Sequence, residues 1–274
     1  MAERIIGLIA GTSQFPLLFA KAARAKGYKV VAVAIEGETF PQLAGEVDEI
    51  TWVKLGKLGK LLKAFHQAGV QRAVMAGGVK KTRMFKDVKP DLKALGLVSH
   101  LRHLADDGLL RTFAGYLAEQ GIEIIASHEL VPELLAREGQ YTRRGPSRDE
   151  RDDLELGWRL SAELGRLDIG QCLVLKGKVV IAVEALEGTD ACIRRGGELA
   201  GPGVVVVKRC KTIQDLRFDL PSVGADTVAA MNSAGAACLC IEAGRTLVFD
   251  REAMVAAADQ AGICILGRKG EAIS

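Results

Sequence analysis

Five apolar runs, separated by helix-forming sequence, constrain this chain more than any other feature. They are "RIIGLIAG" (4–11), "YKVVAVAI" (28–35), "ITWVKL" (50–55), "RAVMAGGV" (72–79) and "IEIIAS" (122–127). Short aliphatic runs of this kind read as strands buried on both faces. Between them, "LLFAKAARAKG" reads as a helix closed by Gly27, and "LGKLLKAFHQAGV" as a second. Further helical sequence runs from Asp91 to Gln120, broken near Asp106–Gly108. Strand–helix–strand alternation predicts a parallel sheet with helices on both faces, a Rossmann-like α/β fold.

The composition changes at "REGQYTRRGPSRDERDD" (137–153), which is polar, dense in charge and contains Gly-Pro. We expect a Rossmann-like domain over residues 1–132, a linker over 133–148 and a second α/β domain over 149–274. Within the second domain a helix continues to Gly165. "QCLVLKGKVVIAVEA" reads as a hairpin turning at Gly177–Lys178, and "GVVVVKRC" (203–210) as a strand. "CLCIEAGRTLVFD" (238–250) reads as a second hairpin around Ala243–Gly244, followed by the helix "REAMVAAADQAGI" and a last short strand, "CILG". The domain is therefore expected to be mixed α/β. Aromatics make up only 5% of a chain that is 49% hydrophobic, which also favours α/β over all-β architecture.

Charge and cysteine usage exclude several classes of protein. A formal net charge of +3 over 274 residues is too small to argue for a nucleic-acid partner. No apolar run reaches the ~18–20 residues of a membrane span. "MAERIIGLIAG" enters a strand-like run with no long apolar leader and cleavage site, so no signal peptide is expected. All six cysteines (Cys172, Cys192, Cys210, Cys238, Cys240, Cys264) fall in the second half, mostly inside apolar runs and without a CxxC pair. They are expected to be buried reduced thiols in a cytoplasmic protein. The four histidines do not space with them as a zinc site would.

Four stretches could carry chemistry. In "IAGTSQFP" (9–16) a strand ends, Gly11 lets the chain turn, and Thr12 and Ser13 offer hydroxyls at a helix start; these residues could cap the helix or meet a phosphate. In "AGGVKK" (76–81), Gly77, Gly78, Val79 and Lys80 follow another buried strand. Both loops should open at the carboxyl edge of the sheet, where open parallel sheets bind ligands. In "VEALEGTDACIRR" (183–195), Glu184, Glu187 and Asp190 bracket a Gly-Thr-Asp corner. It could cap a helix or hold Mg²⁺, which needs one or two protein carboxylates beside substrate phosphate oxygens. In "KTIQDLRFDLPSVGADT" (211–227), alternation puts Asp215, Arg217 and Asp219 on one face of an expected strand ending at Pro221. That face could be a solvated edge or a phosphate and metal site, and Arg217 could clamp a phosphate or simply pair with Asp215.

Taken together, "GLIAGTSQFP", "AGGV", "RLDIGQ" (166–171), "AVEALEGTDA" (182–191), "IQDLRFDLPSVG" (213–224) and "EAGRTLVFDREAMVAAAD" (242–259) resemble the UDP-2,3-diacylglucosamine pyrophosphatases of the LpxI type. The resemblance covers nearly the whole chain. It implies Mg²⁺-dependent hydrolysis of UDP-2,3-diacylglucosamine to UMP and 2,3-diacylglucosamine 1-phosphate, a step of lipid A synthesis. It also implies a Rossmann-like N-terminal domain, a distinct C-terminal domain and a substrate cleft between them. By the same matching Asp219 is the essential acidic residue, and Gln171, Thr189 and Asp190 belong to the site, with Asp219 and Asp190 toward the metal. Uridine is expected over Gly11–Ser13 and Gly77–Lys80, with Gln214 and Arg217 near the phosphates. The acyl chains need an apolar lining, for which residues 92–113 are a candidate. Such an enzyme would be cytoplasmic and peripheral at the inner face of the inner membrane, and homo-oligomerisation stays open. Two other classes compete: a Rossmann-type oxidoreductase, against which the missing GxGxxG argues, and a non-catalytic nucleotide or lipid carrier.

Overall fold

In the computed structural model, which describes residues 4–79, 106–211, 215–218 and 220–270, the chain forms two units. The first comprises Met1–Pro132 and Asp215–Phe218, the second Glu133–Gln214 and Asp219–Ser274. Each is described by itself.

The apolar runs of the first unit become β1 (Arg4–Ala10), β2 (Tyr28–Ile35), β3 (Glu49–Val53), β4 (Arg72–Ala76) and β5 (Glu123–Ile124). They form one parallel sheet in the order β3-β2-β1-β4-β5. Helices α1 (Phe15–Ala25), α2 (Leu58–Gln67), α3 (Asp106–Glu119) and the short α4 (Ser127–Leu130) complete the described part of this unit. In α2, Leu58, Leu61, Leu62 and Phe65 recur at helical spacing. They pack with Leu117 of α3 against Ile9, Val31 and Val33 of the sheet. α1 buries Phe15, Phe19, Ala20 and Ala23. The strand order reverses between β1, which leads to β2, and its other neighbour β4, and loops at such a point form a natural crevice.

The second unit holds a six-stranded mixed sheet in the order β6-β13-β11-β9-β7-β8. Its strands are β6 (Gly139–Gln140), β7 (Cys172–Lys176), β8 (Val179–Val183), β9 (Val205–Lys208), β11 (Cys238–Ala243) and β13 (Cys264–Lys269). β9, β11 and β13 run parallel, while β7, β8 and β6 add antiparallel pairings at the two sides. α5 (Arg148–Arg166) covers one face through Leu154 and Trp158, which pack on Leu173, Leu175, Val205 and Val207. The opposite face carries α6 (Thr189–Ala200), α7 (Ala225–Ser233) and α8 (Arg251–Gln260), with Ile193, Met231 and Met254 packed on Val174, Val206 and Leu239. All six cysteines are buried thiols, and burial pushes that of Cys240 up to about 12.

The hairpin expected around Gly177–Lys178 forms as β7–β8, with both turn residues at positive φ (58° and 63°), as a two-residue hairpin turn requires. The second expected hairpin does not form. β11 pairs with β9 and β13, and the segment after Gly244 becomes β12 (Leu247–Val248), which pairs in parallel with β10 (Ser222–Val223). The reason is that β11 is central: parallel neighbours already satisfy both of its edges, so the chain after it must go elsewhere. A further expectation fails at Asp215–Phe218, which is a turn rather than a strand. The Asp215 carboxylate accepts from the backbone N–H of Arg217 (3.1 Å), and the Asp215 carbonyl accepts from that of Phe218 (3.0 Å). A side chain that bonds its own backbone two residues on competes directly with strand pairing.

The charged stretch read as a linker is itself fastened within the second unit. Arg144 holds Glu150 with two bonds (2.8 and 2.9 Å) and donates to the carbonyls of Ala237 (2.6 Å) and Gly262 (2.8 Å). The Thr142 hydroxyl accepts from the backbone of Ile265 at 2.9 Å. Ser147 and Glu150 form a reciprocal cap at the start of α5.

Candidate functional site

In the first unit, two glycine loops interlock beyond the carboxyl ends of β1 and β4. The Gly11 amide donates to the Ala76 carbonyl (2.9 Å), and the Thr12 amide to the Gly78 carbonyl (2.7 Å). Gly11 has no room for a side chain: a Cβ there would strike the Gly78 carbonyl oxygen and lie 2.9 Å from the Gly78 carbonyl carbon. Gly77 adopts φ +77°, and a Cβ on it would strike the Thr12 carbonyl. Ser13, at φ 85°, turns the chain into α1, and its hydroxyl accepts from the Phe15 amide at 3.3 Å. The N-cap position itself is Gln14, not Thr12 or Ser13. Behind the loops, the buried Thr39 hydroxyl donates to the Ala10 carbonyl (2.6 Å) and accepts from the Ile35 amide (3.0 Å). The result is a bare stretch of backbone beside a helix start, the kind of surface that phosphate and nucleotide groups can approach closely.

In the second unit, the polar groups gather at one edge of the sheet. β9 ends in Lys208 and Arg209 follows it, and the alternation of the strand sends one to each face. Arg209 goes to the α5 face. It stacks over the Trp158 ring (4.6 Å to the centroid), donates to the Trp158 carbonyl (3.3 Å) and pairs with the buried Glu242 (3.5 Å). Glu242 also accepts from the Cys210 amide at 3.0 Å. Lys208 goes to the α6–α8 face, is 5% exposed, and donates to the Ser222 carbonyl at 2.7 Å.

Facing the β9 terminus, Gln171 precedes β7, and its carbonyl accepts from the Arg209 amide (2.9 Å). Glu184 follows β8 and is only 6% exposed. Its Oε1 accepts from the Thr189 hydroxyl at 3.1 Å, while its Oε2 and the Gln171 Oε1 are buried and receive no hydrogen bond from the described residues. Burial pushes the Glu184 carboxyl above its ordinary value, opposed by the Lys208 ammonium, the Thr189 hydroxyl and the Gln171 backbone amide. Thr189 and Asp190 open α6 after Gly188, so the Asp190 carboxylate stands in the first turn, where the helix dipole favours it.

Of the residues expected to act, Gly11, Thr12, Ser13, Gly77, Gly78 and Val79 thus belong to the loops at one sheet edge of the first unit. Gln171 and Thr189 meet around Glu184 in the second, with Asp190 beside Thr189 in the chain. Arg217 takes the plainer of its two alternatives: it pairs with Asp215 (2.7 Å), which Arg111 also approaches (3.8 Å). Its hydrogen bond holds the Asp215 carboxyl below the usual range. Lys80, Gln214, Asp219 and most of 92–113 lie outside the described residues. Among the described residues no group of three or more His, Cys, Asp or Glu side chains could hold a metal. Lys208 was missed by sequence reasoning. The signal was a lysine closing the valine run "GVVVVK" with no polar residue between it and the core.

A chain with a five-stranded parallel Rossmann-like unit, glycine loops at its switch point, and a second mixed α/β unit with a buried carboxylate and ammonium belongs to the broad class of two-unit α/β proteins. Its sequence is more specific. Residues 5–134 match the LpxI N-terminal domain and residues 137–266 the LpxI C-terminal domain, so the chain belongs to the LpxI family. A relative from Caulobacter vibrioides, UDP-2,3-diacylglucosamine pyrophosphatase LpxI, is 35% identical over 275 residues, covering 96% of this chain and 97% of its own. Among solved structures, the biotin carboxylase domain of a single-chain bacterial carboxylase aligns at 12% identity and TM-score 0.27, over 62% of this chain and 35% of that one. Glycinamide-RNase-transformylase T from Mycobacterium tuberculosis aligns at 16% identity and TM-score 0.24, over 67% and 44%.

Proposed function

We propose that this protein hydrolyses the pyrophosphate of UDP-2,3-diacylglucosamine, releasing UMP and 2,3-diacylglucosamine 1-phosphate in lipid A biosynthesis. The observation that carries this reading is the end-to-end relationship to the Caulobacter pyrophosphatase, together with both halves of the family. The chemistry is consistent with it. Hydrolysis of a pyrophosphate needs negative charge neutralised on non-bridging oxygens, a positioned water and a stabilised leaving group. The bare backbone of Gly11–Ser13 and Gly77–Val79 suits the uridine and α-phosphate end, with Lys80 continuing that loop. The second unit supplies Gln171, Thr189 and Asp190, with Asp219 and Gln214 in the "IQDLRFDLPSVG" segment.

The reading includes Mg²⁺. An acceptor left open at the second unit's sheet edge, Gln171 Oε1, is an oxygen, as are those of the Asp190 carboxylate beside Thr189, and a hard divalent cation takes oxygen donors. Asp190 and Asp219 are the residues that would hold it, with substrate phosphate oxygens completing the shell. Bound there, the ion would draw charge from the phosphoryl oxygens in the transition state. The protein's own part is to align the pyrophosphate, present Asp190 in the first turn of α6, and exclude bulk water.

A lipid-linked substrate also requires contact with a lipid surface. No described helix is long and apolar enough to cross a membrane. Three exposed large hydrophobic residues, Leu167 (68%), Ile169 (46%) and Leu186 (84%), flank the close contact between Gly170 and the Glu184 backbone, which suits peripheral contact. The deciding assay is release of UMP from UDP-2,3-diacylglucosamine by the purified protein, with and without EDTA. Mg²⁺-dependent release is expected. No release at any Mg²⁺ concentration would remove the proposal, and full activity in EDTA would remove the metal.

A further inference from the structure

We propose that Glu184 and Lys208 are a pair of positioning residues that hold the Gly188–Asp190 corner and the Pro221–Ser222 entry into β10 in register at the sheet edge, so that Thr189 and the segment following Asp219 meet the pyrophosphate together. This rests on the pyrophosphatase reading above, and it concerns two residues that reading does not use.

Both residues are almost fully buried, and each ties a different loop to the sheet. Glu184 leaves β8 and bonds the Thr189 hydroxyl, and its backbone N–H donates to the Cys172 carbonyl (2.9 Å). It is pinned further by Gly170, where any Cβ would strike the Glu184 carbonyl oxygen. Lys208 ends β9 and bonds the Ser222 carbonyl, immediately after Pro221. Cys172 and Lys208 are register partners on adjacent antiparallel strands, so the Glu184 anchor and the Lys208 anchor rise from neighbouring points. Gly170 and Thr189 thereby meet at Glu184, and Ser222 at Lys208.

Stability alone does not explain this arrangement. Burying a carboxyl and an ammonium is costly unless their bonding is saturated, and apolar replacements are often more stable. The neighbouring pair provides the comparison. Arg209 and Glu242 are enclosed by the Trp158 ring, the Trp158 carbonyl and the Cys210 amide, as a structural ion pair should be. Glu184 instead keeps an acceptor open, and its one side-chain donor, Thr189, is a residue proposed to act on the substrate. A buried group that spends its hydrogen bond on a site residue is arranged for geometry, and displacement of about 1 Å can cost about 10²-fold in rate.

The test compares Glu184→Gln, Glu184→Ala, Lys208→Arg and Lys208→Met in steady-state hydrolysis of UDP-2,3-diacylglucosamine, with thermal unfolding of each. The amide side chain still accepts from Thr189, so Glu184→Gln should keep kcat within about fivefold of wild type, while Glu184→Ala and Lys208→Met lose about 10²-fold in kcat with little change in KM. Lys208→Arg should recover part of the Lys208→Met loss. Native-state hydrogen exchange gives a readout independent of activity: amides of 188–191 and 222–224 should exchange faster in Glu184→Ala and Lys208→Met, with β11 and β13 unchanged. Folded alanine and methionine variants with wild-type kcat, or with unaltered exchange at both loops, would overturn the pairing; so would Glu184→Gln as inactive as Glu184→Ala. An inactive wild type would instead sink the proposed function, and the exchange comparison would still decide this inference.

Discussion

Gly11→Ala tests the interlocked loops at the first unit's sheet edge. The added methyl would overlap the Gly78 carbonyl oxygen and sit 2.9 and 3.0 Å from the carbonyl carbons of Gly78 and Gly77. Carbon atoms pack best at about 3.5–4.0 Å, so the loops must separate by roughly 1 Å, and neither side can yield by rotating a side chain. That movement breaks or stretches the two bonds joining the loops, Gly11 to Ala76 and Thr12 to Gly78, at 2.9 and 2.7 Å. Each is worth about 1 kcal/mol net. Overpacking of a close contact adds about 1–3 kcal/mol. The expected loss is therefore about 3–5 kcal/mol, or roughly 10–20 °C for a unit of this size. Gly45→Ala is the control, because nothing lies within 4 Å of its added methyl and its φ is ordinary. Calorimetry of the full chain should show the early transition shifted in Gly11→Ala and unmoved in Gly45→Ala, with UMP binding lost only in the former. If the two variants unfold together, the loops are not braced against each other as the geometry requires.

Arg209→Met leaves the buried Glu242 without its cation and should cost about 3–5 kcal/mol in urea unfolding, while the double change Arg209→Met with Glu242→Leu should recover most of it. A single variant as stable as wild type would refute the ion-pair reading. Arg217 depresses the Asp215 carboxyl, so its contribution is present above the ordinary value of 3.8 and disappears as pH falls through the lower folded value. The stability gap between wild type and Asp215→Asn, about 1 kcal/mol at neutral pH, should close on acidification; a gap that widens would contradict the sign. Asp219→Ala should leave the protein folded and lower kcat by about 10²–10⁴-fold, as loss of a metal-positioning or water-positioning carboxylate does, and a variant with most of its activity would take Asp219 out of the mechanism.

What the sequence disclosed follows from which interactions are local. β1, β2 and β4 of the first unit were legible because burial on both faces writes a nearly unbroken apolar run, and the 172–183 hairpin because Gly177–Lys178 sits at the turn between two apolar runs. The hairpin expected at 238–250 failed because an apolar run does not name its partner: β11 sits between β9 and β13, which are remote from each other in sequence. Alternation at 215–220 misled because Asp215 satisfies its own turn, a competition that periodicity ignores. The glycine loops of the site were visible as punctuation after strands, yet their mutual contact joins residues over 60 positions apart. Lys208 stayed hidden because a lysine at a strand end ordinarily reaches water, and only the neighbouring chain decides that this one cannot.

The assignment of Asp215–Phe218 to the first unit bears on how the protein is made. Phe218 packs against the cluster containing Ile9, Leu62 and Leu117, and Asp215 meets Arg111, so the first unit draws on residues translated long after Pro132. At about 5–20 residues per second, the ribosome delivers Phe218 roughly 4–17 s after Pro132 has been added. During that interval the nascent N-terminal unit lacks part of its own packing, and most of the second unit's first strands and helices emerge before the first can be finished. The two units therefore cannot be separated by a single cut in the gene.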